Sequence, residues 1–375
     1  EYEADRPFLN QPDFPQAELP DPGRYIIYLD VWERHITALE DPQIREVALG
    51  GPDTATRTQV LAQVKWQDAG NVVNCADIEP GWRPPGVRST GTLEARAQPP
   101  EDEESACVIP PTAGYRRLEN QLYRVEIHRS GPLDTATFKW SRENGSVVAE
   151  WIGQSDDTLA VAAEGRDDNL SFHPTDWVEL TDELRELRGQ PGVMVRLANV
   201  QGRNLIIDPA TVSDPLDPAV TDVDFTQFGP TPKIRRWESD GEELVQVAVD
   251  NNGYLRLENG VEIRFGAGRY QTGDYWLIPA RTGSEYGIEW PQKDGQPLAR
   301  APHGIAHHYA PLALLQFGEG GWRAIPDDAA TFATLPQVDA RLGRVDVHLD
   351  EHVDLMARLG GRVNALEERQ DDFQA

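Results

Sequence analysis

Cysteine is nearly absent from this 375-residue sequence, with Cys75 and Cys107 the only two. That excludes a disulfide-dense scaffold, and neither residue sits in a CxxC pair or a Cys/His zinc spacing. Two thiols are the expected state, and one loop-closing disulfide is the alternative. Long apolar runs are missing too: none approaches the roughly 18 to 20 residues of a membrane span. Basic residues are scarce, with a net charge of −28 and a pI near 4.6, so nucleic acid and anionic membrane surfaces would be repelled before contact. Lysine contributes only four of the 35 basic residues (Lys65, Lys139, Lys233, Lys293), a pattern that fits a GC-rich genome or a high-salt habitat. The first residue is Glu1 rather than Met, which reads as the start of a fragment or a processed form.

What is present points to strands. Hydrophobic residues make up 39% of the chain and there are ten tryptophans, enough for a sizeable core. The 32 glycines and 29 prolines demand many turns and leave room for few long helices. The length predicts two or three compact units, because single cores stop growing near about 250 to 300 residues. The expected fold is mainly β: a multi-unit β body of small barrel- or sandwich-like units with a C-terminal α-helical coiled coil.

Along the chain, residues 1–23 are Pro-rich and read as an extended arm. Residues 24–208 read as a β-rich domain with a small barrel-like part near 170–208, and "RYIIYLDVWERHITAL" is its first long strand. From Asp41 to Lys65 the pattern predicts a short helix or turn, a Gly-Gly-Pro break, and a helix capped at Asp53 or Thr54. Residues 68–113, with seven prolines and the acidic run Glu101 to Glu104, form a surface excursion. Asn144-Gly145 between two β-rich runs predicts a hairpin turn. Residues 209–232 read as a Pro/Asp-rich linker and 233–328 as a second β domain. Its "YLRLENGVEIRFG" echoes "YRRLENQLYRVEIHRSG" from Tyr115, through duplication or chance.

Residues 334–375 differ in kind. Leu335, Val338, Leu342, Val345, Leu349, His352, Met356, Leu359, Val363 and Leu366 follow in steps of three and four, a heptad seam that predicts an oligomerisation helix. Arg341 and Arg362 fall at g and Asp346 and Glu367 at e, which favours parallel neighbours in register. Leu at a with Val at d disfavours two strands and points to a trimer, with His352 as one polar layer that fixes register. A helical hairpin folded back on the body is the alternative, since Gly360-Gly361 would interrupt the helix.

The densest chemistry is in "PHGIAHHYAPL" (Pro302 to Leu312), with His303, His307 and His308. A zinc hydrolase helix needs a Glu beside the first His, and Gly304-Ile305-Ala306 supplies none. In a strand, His303, His307 and Tyr309 share one face and His308 takes the other. Structural histidines are therefore expected, with no bound metal and no cofactor. Gly266, Gly268 and Gly273 lead into the strand-like "DYWLIPA" rather than a helix, so they read as turn glycines and not a phosphate loop. The pairs Asp156-Asp157 and Asp167-Asp168 read as loop charge, without a calcium loop around them. No Gly-x-Ser-x-Gly elbow or Cys/His dyad appears, and no catalytic residue is assigned.

Six strings, "YIIYLDVWERHITALEDPQIREVALGGPDTATRTQVLAQVKW" (Tyr25 to Trp66), "NQLYRVEIHRSG" (Asn120 to Gly131), "FKWSRENGSVV" (Phe138 to Val148), "DWVEL" (Asp176 to Leu180), "GRYQTGDYWLIPAR" (Gly268 to Arg281) and "HHYAPLALL" (His307 to Leu315), occur in this order. Together they resemble an uncharacterised bacterial family whose genes accompany phage-tail-like contractile injection systems. The resemblance implies a structural or attachment part of a virion-like or extracellular particle, and it supplies no catalytic residues. It also implies a further Asp- and Trp-rich segment ahead of residue 1.

The expected function is that of a fibre, spike or baseplate-peripheral protein, not an enzyme. Its expected partners are further copies of itself, other tail-particle proteins and a cell-surface glycan. Two rivals remain: a polysaccharide-degrading tail component, and a carbohydrate-binding module using Trp82, Trp140, Trp151, Trp276 or Trp290 as sugar platforms, against which stands plain core packing.

In light scattering, the full chain should be an oligomer and a version ending at Asp328 a monomer. An exposed seam would leave each large apolar side chain about 1.5 to 3 kcal/mol short of its buried state. Two monomers would remove the coiled coil.

Overall fold

The computed structural model describes residues 8–79, 81–97, 114–115, 117–238, 253–282 and 287–325. These residues are mainly β, as the glycine and proline content requires. The seam from Leu335 to Leu366 lies outside them, as does Cys107. Contacts divide the chain into a larger unit (Glu1–Pro20, Tyr28–Lys65 and Pro80–Ala310) and a smaller one (Asp21–Ile27, Trp66–Glu79 and Pro311–Ala375).

A closed six-stranded antiparallel barrel lies in the larger unit. Its order is Thr158–Val161, Asn204–Ser213, Val193–Gln201, Trp177–Thr181, Lys233–Trp237 and Val148–Ser155, which returns to the first. Period-2 patterning fills it: Val193, Val195 and Leu197, then Leu205 and Ile207, point inward with Leu159, Val161 and Trp151. Trp177–Thr181 is buried at every position. Val178 and Leu180 face the barrel core, while Trp177 packs with Met194 and Trp237 outside it.

Two three-stranded sheets bury a second core in this unit. One has the order Tyr275–Ala280, Gln121–Arg129, Thr137–Ser141, and the other Leu255–Arg256, Val261–Phe265, Leu93–Ala97. Val125, Ile127, Phe138, Trp140, Ile263, Phe265 and Trp276 fill the space between them.

These pairings redraw the expected boundaries. Lys233–Trp237, read as the start of a second domain, closes the barrel between Trp177–Thr181 and Val148–Ser155. Gln121–Arg129 pairs with Tyr275–Ala280, and Leu93–Ala97 with Val261–Phe265. The expected linker at 209–232 thus begins inside the strand Asn204–Ser213, and only residues 214–232 are a connection, within one unit. The barrel spans residues 148–237, not only 170–208, because ladder hydrogen bonds are met by strands far apart in sequence.

Two local expectations also change. The helix predicted from a cap at Asp53 or Thr54 is the strand Arg57–Asp68, preceded by the 3-10 turns Pro42–Ile44 and Val47–Leu49. The short apolar run "QVLAQV" is compatible with either period, and sheet pairing decides it. Asn144 and Gly145 both take positive φ (54° and 65°), as a tight turn of that type needs. The flanking strands do not pair with each other, however: Thr137–Ser141 joins Gln121–Arg129 and Val148–Ser155 enters the barrel. The turn hands the chain from one sheet to the other.

Arg57–Asp68 is an edge strand of its sheet. In the larger unit the N-terminal arm answers that edge with side chains. The Gln11 amide accepts from Val64 N (2.6 Å) and donates to Val64 O (2.8 Å), and Asp13 Oδ2 accepts from Ala62 N (2.9 Å). In the smaller unit Tyr25 meets Trp66 and Trp322 edge-on (5.2 and 5.8 Å), and Trp322 packs on Phe317 (4.7 Å).

An ion pair joins barrel and sheet inside the larger unit. Lys139 Nζ, on Thr137–Ser141, lies 2.6 Å from both oxygens of Glu179, on the outer face of Trp177–Thr181, and 3.2 Å from Glu126 Oε1. Glu179 also accepts from Trp237 Nε1 (2.9 Å) and Gly192 N (3.1 Å). Burial alone would raise its pKa, but the Lys139 charge and hydrogen bonds hold it down to about 2. Beside it His128, 1% exposed, has no hydrogen bond on either ring nitrogen, and burial pushes its pKa down to about 4.

Lys139→Met should cost about 3 to 5 kcal/mol in urea unfolding, because it leaves the Glu179 carboxylate buried without its countercharge. Lys139→Met with Glu179→Leu should recover most of that loss. A double variant as unstable as the single one would mean the pair is not what binds the two layers.

Candidate functional site

Alternation along Gly23–Ile36 puts Tyr28, Asp30 and Trp32 on one face of the strand. Asp30 is 3% exposed in its side chain. Its Oδ1 is 2.7 Å from His307 Nδ1 and its Oδ2 is 2.8 Å from Lys65 Nζ, so both carboxylate oxygens are answered by basic groups. Burial alone would raise the Asp30 pKa, but the His307 hydrogen bond and the Lys65 charge outweigh it and lower it. Lys65 also lies over the Phe14 ring at 5.2 Å.

Aromatic rings continue from this pair. His307 stacks with Tyr309 (5.9 Å, 10°) and tilts against Trp32 (5.3 Å). Tyr309 meets Tyr28 edge-on at 6.0 Å, and Tyr28 meets Trp82 at 5.3 Å. Tyr28 and Trp32 are buried, whereas Trp82, His307 and Tyr309 are half-buried. Burial, with the nearby Asp30 charge, pushes the Tyr309 phenol up to about 12 and raises Tyr28 further. Both phenols therefore stay protonated at neutral pH.

The histidine cluster of Pro302 to Leu312 separates in space. His307 faces Asp30 with Tyr309 beside it. His303 packs on Tyr275 (5.6 Å) ahead of the strand, and His308, the first strand residue, is exposed. The shared face expected for His307 and Tyr309 is present, but His303 is not on it, because Gly304 takes φ 56° and turns the backbone. Among the described residues no three His, Cys, Asp or Glu side chains converge as metal ligands do. Asp30 fixes the His307 ring as an orienting carboxylate does, yet among the described residues no serine, threonine or cysteine bonds to that ring.

Of the five tryptophans read as sugar platforms, Trp140, Trp151, Trp276 and Trp290 are core residues at 3%, 1%, 1% and 8% exposure. Only Trp82 reaches the surface. Asp156 sits in a tight turn at φ 47°, and Asp167 accepts from the backbone of Asn169 and Leu170 within its own loop.

Sequence reasoning overlooked the buried charges. Arg34 holds Glu183 and Glu186 at 2.7 Å each, and Lys233 pairs with Glu186 (2.8 Å) and Glu40. For the Lys139–Glu179 pair the signal is a charged residue centred in an apolar strand, as in "FKWS" and "WVELT". In an acidic sequence, each lysine at such a position marks a buried partner.

Asp30→Asn should lower stability by about 2 to 3 kcal/mol at pH 7, since it removes the acceptor charge from two basic groups. The wild-type contribution is present above the unfolded carboxyl pKa near about 4 and is lost as pH falls through the lower folded value. Denaturant midpoints of the two proteins should therefore converge with acidification. A constant gap down to pH 2 would rule out the charge as its source.

A model described as a family of unknown function (DUF6519) matches residues 18–77 and 86–347. No curated protein and no solved structure matches the chain. With the match covering most of its length, the chain belongs to this family of unknown function.

Proposed function

We propose that the protein is a structural and attachment component of a phage-tail-like particle, a fibre, spike or baseplate-peripheral part assembled as a parallel homotrimer through Leu335 to Leu366. The observation that carries the reading is the extent of the family match. Residues 18–77 and 86–347 contain all six ordered strings on which the resemblance to contractile-injection-system neighbours rests. A barrel without free edges and charged side chains committed to buried pairs suit a part that bears load. The acidic surface suits one that stays soluble beside its copies. The carbohydrate-binding reading keeps one supporting observation, the half-buried Trp82 and its neighbouring rings.

Sedimented contractile particles from a producing strain test this reading by quantitative mass spectrometry. The chain should co-sediment with tube and sheath proteins, in a copy number per particle divisible by three. Finding it abundant in the cell and absent from intact particles would overturn the assignment.

A further inference from the structure

The rings around Asp30 carry polar atoms that the fold leaves unused. Among the described residues, the hydroxyls of Tyr28 and Tyr309 and the Nε2 of His307 have no hydrogen-bond partner. Polar groups that the protein leaves unanswered meet water or whatever binds there. Nδ1 of His307 is committed to Asp30, so Nε2 is an acceptor in the neutral ring and a donor in the imidazolium. Either form suits a hydroxyl.

We propose that the surface formed by Trp82, Tyr309 and His307, with the Tyr28 ring in contact with Trp82 and Tyr309, binds one or two units of a neutral saccharide. Ring faces supply area for the apolar C–H face of a pyranose, and two phenols and an imidazole supply adaptable partners for its hydroxyls. The phenols remain protonated at neutral pH, so each both donates and accepts. The Arg83 charge lies near Tyr309 and adds a donor at the rim, Arg83 itself being exposed. The net charge of −28 disfavours acidic polysaccharides at long range, which leaves uncharged sugars as the class that approaches freely. This deepens the attachment reading and rests on it only for where the sugar would come from, a cell surface. The binding itself does not depend on the particle.

Isothermal titration of the full chain with cellotetraose, maltotetraose and the N-acetylglucosamine tetramer tests the proposal. At least one should bind saturably, and Trp82→Ala and Tyr309→Ala should each weaken that binding at least tenfold. Trp82→Phe, which keeps a ring, should retain most of it. Thermal melts read alongside separate loss of binding from loss of fold. No heat from any of the three sugars, or equal affinity in Tyr309→Ala and Trp82→Ala proteins that melt like wild type, would overturn the site. Either result would leave the particle assignment standing, since co-sedimentation is measured independently.

Discussion

A carboxylate on the outside of a barrel strand normally meets water; that of Glu179 meets Lys139. Much else in the larger unit follows from this contact. The Trp177–Thr181 strand is buried on both faces because Thr137–Ser141 covers its outer side. Lys139 lies 4.4 Å over the Trp237 ring, and Glu238 N donates to Trp140 O at 2.8 Å, so the covering strand is held at its centre and its end. Two ions taken out of water are costly unless every lone pair is answered, and Trp237 Nε1 and Gly192 N complete the shell of Glu179. Arg34 and Lys233 repeat the device around Glu183, Glu186 and Glu40. An acidic chain with four lysines has placed two of them, Lys139 and Lys233, where a buried cation is required.

Strand content was legible because its signals are local. Alternation in "RYIIYLDVWERHI", the Asn-Gly turn and the positive-φ glycines depend on neighbours a few residues away. Pairing was not legible. Nothing in "KIRRW" distinguishes closing a barrel from opening a new domain, because both uses bury the same face. The same limit misplaced Arg57–Asp68, whose apolar run suits two periods until a neighbouring strand selects one.

At the candidate site, the face shared by His307 and Tyr309 follows from strand geometry. Their partner Asp30, 277 positions away, does not. A lone Asp in "YIIYLDVWERH" does announce that something must compensate it, since carboxylates are seldom buried unpaired. The tryptophans divided for the opposite reason. Trp276 and Trp290 find acceptors for their indole N–H within the core, at Arg300 O and Leu298 O, and so can be buried without penalty.

The side-chain cap on Arg57–Asp68 bears on the chain's behaviour at high local concentration. An open row of amide and carbonyl groups is a template for any other extended segment. Gln11 presents a primary amide to Val64 as a peptide group would, but an amide on a side chain cannot propagate a ladder to the next strand. The sheet is thereby ended rather than extended. Many copies held close together would then meet through the contacts that specify their assembly instead of through the backbone.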